Sequence, residues 1–170
     1  NFLREDKAEL LLKALKKENF TNKESDLFSL NQTHDFSSSK IDFLRDFYSF
    51  AASSEFSEFM RKITGIKVKS GALDLAGSLY KSGDYLLCHD DQVQDRKIAY
   101  ILYLSKSFTE KDGARFVLFN NKNGRPISEA KAYAPEWNSL MLFEVSDISF
   151  HAVEENCSNK DRYAIGGWLH

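Results

Sequence analysis

Hydrophobic types make up 42% of the 170 residues and aromatics 14%, enough apolar surface for one cored domain and too much for a disordered chain. The formal net charge is −2, with 23 Lys and Arg against 25 Asp and Glu, and no basic block stands out; neither nucleic acid nor an anionic membrane is an expected partner. No apolar run reaches bilayer length, and the opening Asn1-Phe2-Leu3-Arg4-Glu5-Asp6-Lys7 is too charged for a secretion signal.

The first third reads as helical. Ala8, Leu11, Leu12 and Leu15 fall on one stripe at helical spacing. The cluster Ser37-Ser38-Ser39 offers an N-cap, after which Ile41, Leu44, Phe47, Tyr48 and Ala51 form a second apolar face. A third helix takes Ser54 as its cap, Phe56, Phe59, Met60 and Ile63 as its packing stripe, and Gly65 as its stop.

From Ile66 the texture changes to short β-rich runs between polar turns. Strands are expected near 72–81, 85–91, 97–104, 115–120, 127–133, 139–144, 148–153 and 161–169, broken by Ser82-Gly83-Asp84, Lys111-Asp112-Gly113 and Asn121 to Gly124. Eight short strands without intervening helices predict a mainly β jelly roll or sandwich with N-terminal helices. Ile98 to Leu104 is apolar on both faces, so it needs cover on each side, and the helices of 1–65 can cover one. The whole of 1–170 then reads as one domain, 1–65 supporting 66–170. Cys88 and Cys157 make no disulfide framework or zinc pattern and fit a reducing compartment.

Four residues carry chemistry: His89, Asp91, His151 and Arg162. His89 and Asp91 lie two apart on a predicted strand, so they share a face with Leu87, while Cys88 and Asp90 point away. His151 shares a face with Ser149 and Val153 on a late strand, which a jelly roll can lay beside an early one. Two imidazoles and one carboxylate match the facial ligand set of non-haem Fe(II) oxygenases, which leaves the opposite face for substrate and dioxygen. Alone, His-x-Asp is a weak motif, and a strand histidine is often only a hydrogen-bonded structural residue. Arg162 alternates with Tyr163 and Ile165 on the last strand, so a strand facing inward there buries its guanidinium. A buried guanidinium demands an anionic partner, and a dicarboxylate ligand would supply one. His34 and His170 are expected to be solvated, and no nucleophile-and-base pair stands out.

The segments Tyr80 to Asp91 (YKSGDYLLCHDD), Arg96 to Leu104 (RKIAYILYL), Asn138 to Glu155 (NSLMLFEVSDISFHAVEE) and Arg162 to His170 (RYAIGGWLH) resemble one family. It is the 2-oxoglutarate- and Fe(II)-dependent prolyl hydroxylases of the eukaryotic Tpa/Ofd type. The resemblance implies a double-stranded β-helix backed by helices, with His89, Asp91 and His151 holding Fe(II). It implies that Arg162 pairs with the distal carboxylate of 2-oxoglutarate, while Tyr80 and Tyr103 donate phenolic hydrogen bonds to that co-substrate. The implied reaction hydroxylates a proline of a protein substrate, a small-subunit ribosomal protein in this family, using O2 and releasing succinate and CO2, with ascorbate in support. It also implies a regulatory protein partner, oxygen sensing, a cytoplasmic or nuclear location, and a second similar domain lacking the ligands, which makes this chain a fragment. Two departures stand out: Ala164 replaces a serine common in relatives, removing one hydroxyl contact to the co-substrate, and Asp112-Gly113-Ala114-Arg115 replaces a Gly-Gly-x-Leu turn. A 2-oxoglutarate- or oxygen-sensing interaction domain without turnover is the alternative, and succinate release separates the two. An iron oxygenase acting on nucleic acid is disfavoured by the acidic charge.

Overall fold

Chain order in the structure, a computed structural model that describes residues 1–93 and 95–170, begins with helix α1 (Glu5–Leu15), strands β1 (Thr21–Glu24) and β2 (Phe28–Gln32), and helices α2 (Asp42–Ala51) and α3 (Ser54–Thr64). Strands β3 (Leu73–Tyr80), β4 (Tyr85–His89), β5 (Ile98–Tyr103), β6 (Phe116–Lys122), β7 (Arg125–Tyr133), β8 (Ser139–Glu144), β9 (His151–Val153) and β10 (Arg162–Leu169) follow. No helix among the described residues is long and apolar enough to cross a membrane.

The doubly apolar strand organises the interior. From β5, Ile98, Tyr100 and Leu102, with Leu104 just beyond, pack against Leu11 and Leu15 of α1, Leu44 of α2, and Phe56 and Met60 of α3. Its alternate residue Ile101 packs instead in a second cluster with Leu30, Tyr80, Phe116 and Val153. Those residues come from β2, β3, β6 and β9, so the sheet must fold back on itself to bring them together. The strand order, β7-β6-β9-β4-β2-β3-β10-β5-β8 with β1 on β2, is antiparallel throughout. The fold-back lies at β2, which pairs with β3 at Asn31 and Gln32 and with β4 at Phe28 and Ser29. One layer is backed by the helices, the other faces it, and a cleft opens between them. This is the double-stranded β-helix expected from the sequence.

Several local expectations need correction. The hairpin β1–β2 falls in a stretch read as helical; Thr21–Glu24 is exposed along its whole length and so carries no apolar alternation to betray a strand. The serine cluster lies in a 3-10 turn (Phe36–Ser38) capped by Asp35, and the residue capping α2 is Ile41, which has no side-chain cap bond. Ser53, not Ser54, caps α3 by accepting from the Phe56 amide, while Gly65 ends that helix in the left-handed region (φ 76°) as expected. Phe59 and Ile63 are exposed, although the Phe59 ring lies against those of Phe2 and Phe56.

Candidate metal centre and cleft

His89 and Asp91 reach one point by a route other than simple strand alternation. Pairing of β4 with β9 runs Leu86 to Val153 but His89 to His151, three residues against two, which is a β-bulge. The extra residue turns His89 to the same side as Leu86, into the cleft, and leaves Leu87 exposed. β4 ends at His89, and Asp91 follows in the left-handed region (φ 62°), a conformation that Asp tolerates. Asp91 therefore does not continue the strand face; the turn carries its carboxylate back to the imidazoles. The late strand is likewise shorter than expected, β9 starting at His151, with Ser149 in the preceding turn donating to the Asp90 and Ser146 carbonyls.

The three side chains offer ligand atoms within 4.8 Å of one another. Nε2 of His89 lies 3.3 Å from Asp91 Oδ1, and Nε2 of His151 lies 3.3 Å from Asp91 Oδ2. The other ring nitrogen fixes each tautomer: His89 Nδ1 meets the Leu87 carbonyl and His151 Nδ1 the Ser149 carbonyl, both at 2.8 Å. A carbonyl only accepts, so each Nδ1 carries a proton, which leaves Nε2 of each ring as the atom turned toward the carboxylate. Two imidazole nitrogens around one carboxylate make a place for positive charge, a proton or a metal ion. Buttressing rings hold the arrangement: Phe116 stacks on His151 at 5.3 Å and Phe143 lies against it at 4.6 Å.

Electrostatics agree. Burial pushes the Asp91 carboxyl up, but His151, His89 and the Trp168 indole outweigh it and hold the acid far below the usual carboxylate range. Burial pulls His89 down, yet the Asp91 carboxylate and the Leu87 carbonyl reverse the sign and leave its pKa raised. The centre is built to hold positive charge, and a proton and a divalent metal compete for it.

Deeper in the cleft, Arg162 is 1% exposed, the largest side chain buried to that degree. Among the described residues its Nε and Nη2 have no hydrogen-bond partner, and neither has the hydroxyl of Tyr103. The guanidinium carbon sits 4.8 Å from the Tyr80 ring and 5.1 Å from the Tyr103 ring. Burial drives the Tyr80 phenol up to about 12 and raises Tyr103 as well, with Arg162 opposing both shifts, so the two phenols stay protonated and able to donate. A buried cation without an anion costs several kcal/mol, so a ligand carboxylate at this spot would relieve a standing penalty. Between this end and the metal centre, Ala76, Ser78 and Gly166 line the floor, and their small side chains leave a cleft of about 710 Å³. Ala164 is fully buried between Ser78 and Tyr103 on neighbouring strands and brings no hydroxyl.

Trp168 and Arg96 were not singled out from the sequence. The indole Nε1 of Trp168 donates to Asp91 Oδ2 at 2.9 Å, and the Arg96 guanidinium stacks on that indole at 3.4 Å. Nothing in the sequence ties position 168 to position 91; only the sheet does. His34 is exposed as expected, whereas His170 is half-buried with Nε2 3.3 Å from Asp74 Oδ2, an ion-pair distance that the chain end did not suggest.

Comparison with known proteins gives the family. The family profile described as the 2OG-Fe(II) oxygenase superfamily matches residues 75–170, from β3 to the last residue. The chain belongs to that superfamily. It is 35% identical over 172 residues to a protein named prolyl 3-hydroxylase OGFOD1 from Xenopus laevis, covering all of this chain and 32% of that protein. It is 37% identical over 165 residues to prolyl 3,4-dihydroxylase OGFOD1 from Ostreococcus tauri, covering 87% of this chain and 32% of that one. The chain thus spans about a third of the relatives it matches. Among solved structures, a prolyl-4-hydroxylase from Pseudomonas putida superposes with a TM-score of 0.77 at 17% identity, covering 99% of this chain and 88% of that one. A Trichoplax adhaerens prolyl hydroxylase in complex with a hypoxia inducible factor peptide fragment gives 0.76 at 17% identity, covering 99% and 80%.

Proposed function

We propose that this chain is the catalytic unit of a peptidyl-prolyl hydroxylase that uses Fe(II), 2-oxoglutarate and O2. One observation carries the reading: a His-Asp-His set with its ligand atoms within 4.8 Å of one another, in the same cleft as a buried arginine without an anion. His89, Asp91 and His151 would hold the iron. Arg162 would bind the distal carboxylate of 2-oxoglutarate, with Tyr80 and Tyr103 as phenolic donors beside it. Bound iron, with dioxygen and 2-oxoglutarate, supplies the oxidising power, and the co-substrate leaves as succinate and CO2. The chain's own residues position these groups: Phe116 and Phe143 keep water from the His151 ring, and the small residues of the floor leave the co-substrate room to lie between Arg162 and the metal.

The prolyl substrate is supported by the relatives' names, which run the full length of this chain at 35% identity. The finer features rest on the family resemblance: a small-subunit ribosomal protein as substrate, ascorbate in support, a role in oxygen sensing with a regulatory protein partner, and a cytoplasmic or nuclear location. The same resemblance supports residues 1–170 as one dioxygenase domain that is followed by a second. A co-substrate-binding domain without turnover is the competing reading, favoured by the missing hydroxyl at Ala164.

Incubation with Fe(II), 2-oxoglutarate and proline-containing peptides decides between them. Succinate release with a mass gain of one oxygen on a prolyl residue is the expected result. His89→Ala, Asp91→Ala and His151→Ala should each reduce succinate to background; full activity in any one of them overturns its assignment.

A further inference from the structure

The contact between Trp168 and the Asp91 carboxylate lies outside the ligand set, and the chain anchors it with care. The indole N–H reaches Oδ2 at 2.9 Å, so one oxygen of the carboxylate is already committed to a donor across 77 residues of sequence. On the indole face lies the Arg96 guanidinium, 3.4 Å from the ring centroid. Among the described residues Arg96 Nε is buried without a hydrogen-bond partner, and the ion-pair contact from Nη1 to Asp91 Oδ1 is 3.9 Å. That separation is too long for a hydrogen bond, so the plane of the indole, not a donor–acceptor pair, fixes the guanidinium. The backbone beneath is equally tight: a Cβ on Gly167 would lie 1.9 Å from the Asp74 carbonyl oxygen, so β10 presses directly on β3 beside Trp168.

We propose that Trp168, held flat by Arg96, is a positioning residue that orients the Asp91 carboxylate and thereby sets the affinity and coordination geometry of the metal centre. Asp91 needs such help. It lies beyond the end of β4 on a left-handed residue, with no strand pairing to fix its side chain, whereas both histidines are paired in the sheet and bound through Nδ1. A metal-bound carboxylate free to rotate loses part of its binding energy to ordering, and an outer hydrogen bond removes that loss. The inference rests on the assignment of His89, Asp91 and His151 as ligands.

Titration of the metal-free protein with Mn(II), followed by the resonance of the free ion, tests both levels separately. If the unaltered protein binds no Mn(II), the ligand assignment itself fails. If it binds, Trp168→Phe, which keeps the ring and deletes the donor, should weaken binding about 10–100-fold. It should also shift the visible spectrum of the Co(II)-loaded protein, while the metal-free melting temperature stays put. Unchanged affinity and spectrum overturn the proposal, as does a loss of affinity matched by a loss of metal-free stability. Arg96→Lys keeps the charge and removes the flat stacking plane, so it should also weaken Mn(II), and should add nothing in the Trp168→Phe background. Additive effects of the two substitutions overturn the coupling. Should Trp168→Phe fail to fold, Arg96→Lys alone carries the test through its Co(II) spectrum.

Discussion

On the proposed reading, Arg162 is the residue on which ligand recognition and stability pull in opposite directions. Its guanidinium is desolvated and Nε and Nη2 lack partners, so the protein without co-substrate bears a cost that a similar apolar side chain would not. Arg162→Met should therefore match or exceed the parent in melting temperature when no ligand is present. Added 2-oxoglutarate should stabilise the parent, by about 2.7 kcal/mol at a hundredfold excess over Kd, and leave the variant unmoved. Thermal unfolding with and without 2-oxoglutarate checks both halves, and a variant that melts well below the ligand-free parent shows the arginine to be structural. At this scale the sequence was most legible. Residue type named the two imidazoles, the acid and the arginine, because few side chains do that chemistry. The partners that tune them stayed hidden, since Trp168 and Arg96 meet Asp91 through sheet register, which residue type does not encode.

Among the elements, β10 holds the centre together. It pairs with β3 along its whole length, Arg162 to Tyr80 through Leu169 to Leu73, and with β5 on its other side. One strand thus places the arginine at one end of the cleft and Trp168 at the other. Gly167 permits the close approach to Asp74, so Gly167→Ala must part β10 from β3. A cost of about 1–3 kcal/mol is expected, read as a melting temperature lower by about 2–4 °C per kcal/mol. Mn(II) affinity should fall with it, because Trp168 is the next residue; unchanged stability would show that the strands yield without cost. The three helices and β3 to β10 were readable from periodicity and turn residues, since apolar spacing is a local property. The bulge at β4, the left-handed Asp91 and the hairpin β1–β2 were not. Each depends on what lies across the sheet, and in Thr21–Glu24 no buried face exists to leave a pattern.

For the whole molecule, a loop outside the candidate metal centre reports on acid stability. Asp112 is held at about 2, below its ordinary 3.8, by the Lys160 ammonium first and by the Thr109 hydroxyl and amide. Because the folded value is depressed, the stabilisation is complete above the ordinary value and disappears as pH falls from about 4 toward 2. Asp112→Asn should melt below the parent near pH 5, and the gap should close by about pH 2; a gap independent of pH would assign the effect to packing. The overall architecture was legible as a class, eight strands and a helical backing, while the fold-back at β2 was not, because pairing partners are a global choice. That strand has a consequence of its own. The two layers are stitched at β2 by Asn31 and Gln32 on one flank and Phe28 and Ser29 on the other, with Thr33–Gly77 and Leu87–Leu27 backbone hydrogen bonds carrying each connection one step further. Among the described residues β2 alone joins the run β7-β6-β9-β4 to the run β3-β10-β5-β8, so breaking its pairing on either flank divides the sheet into two halves.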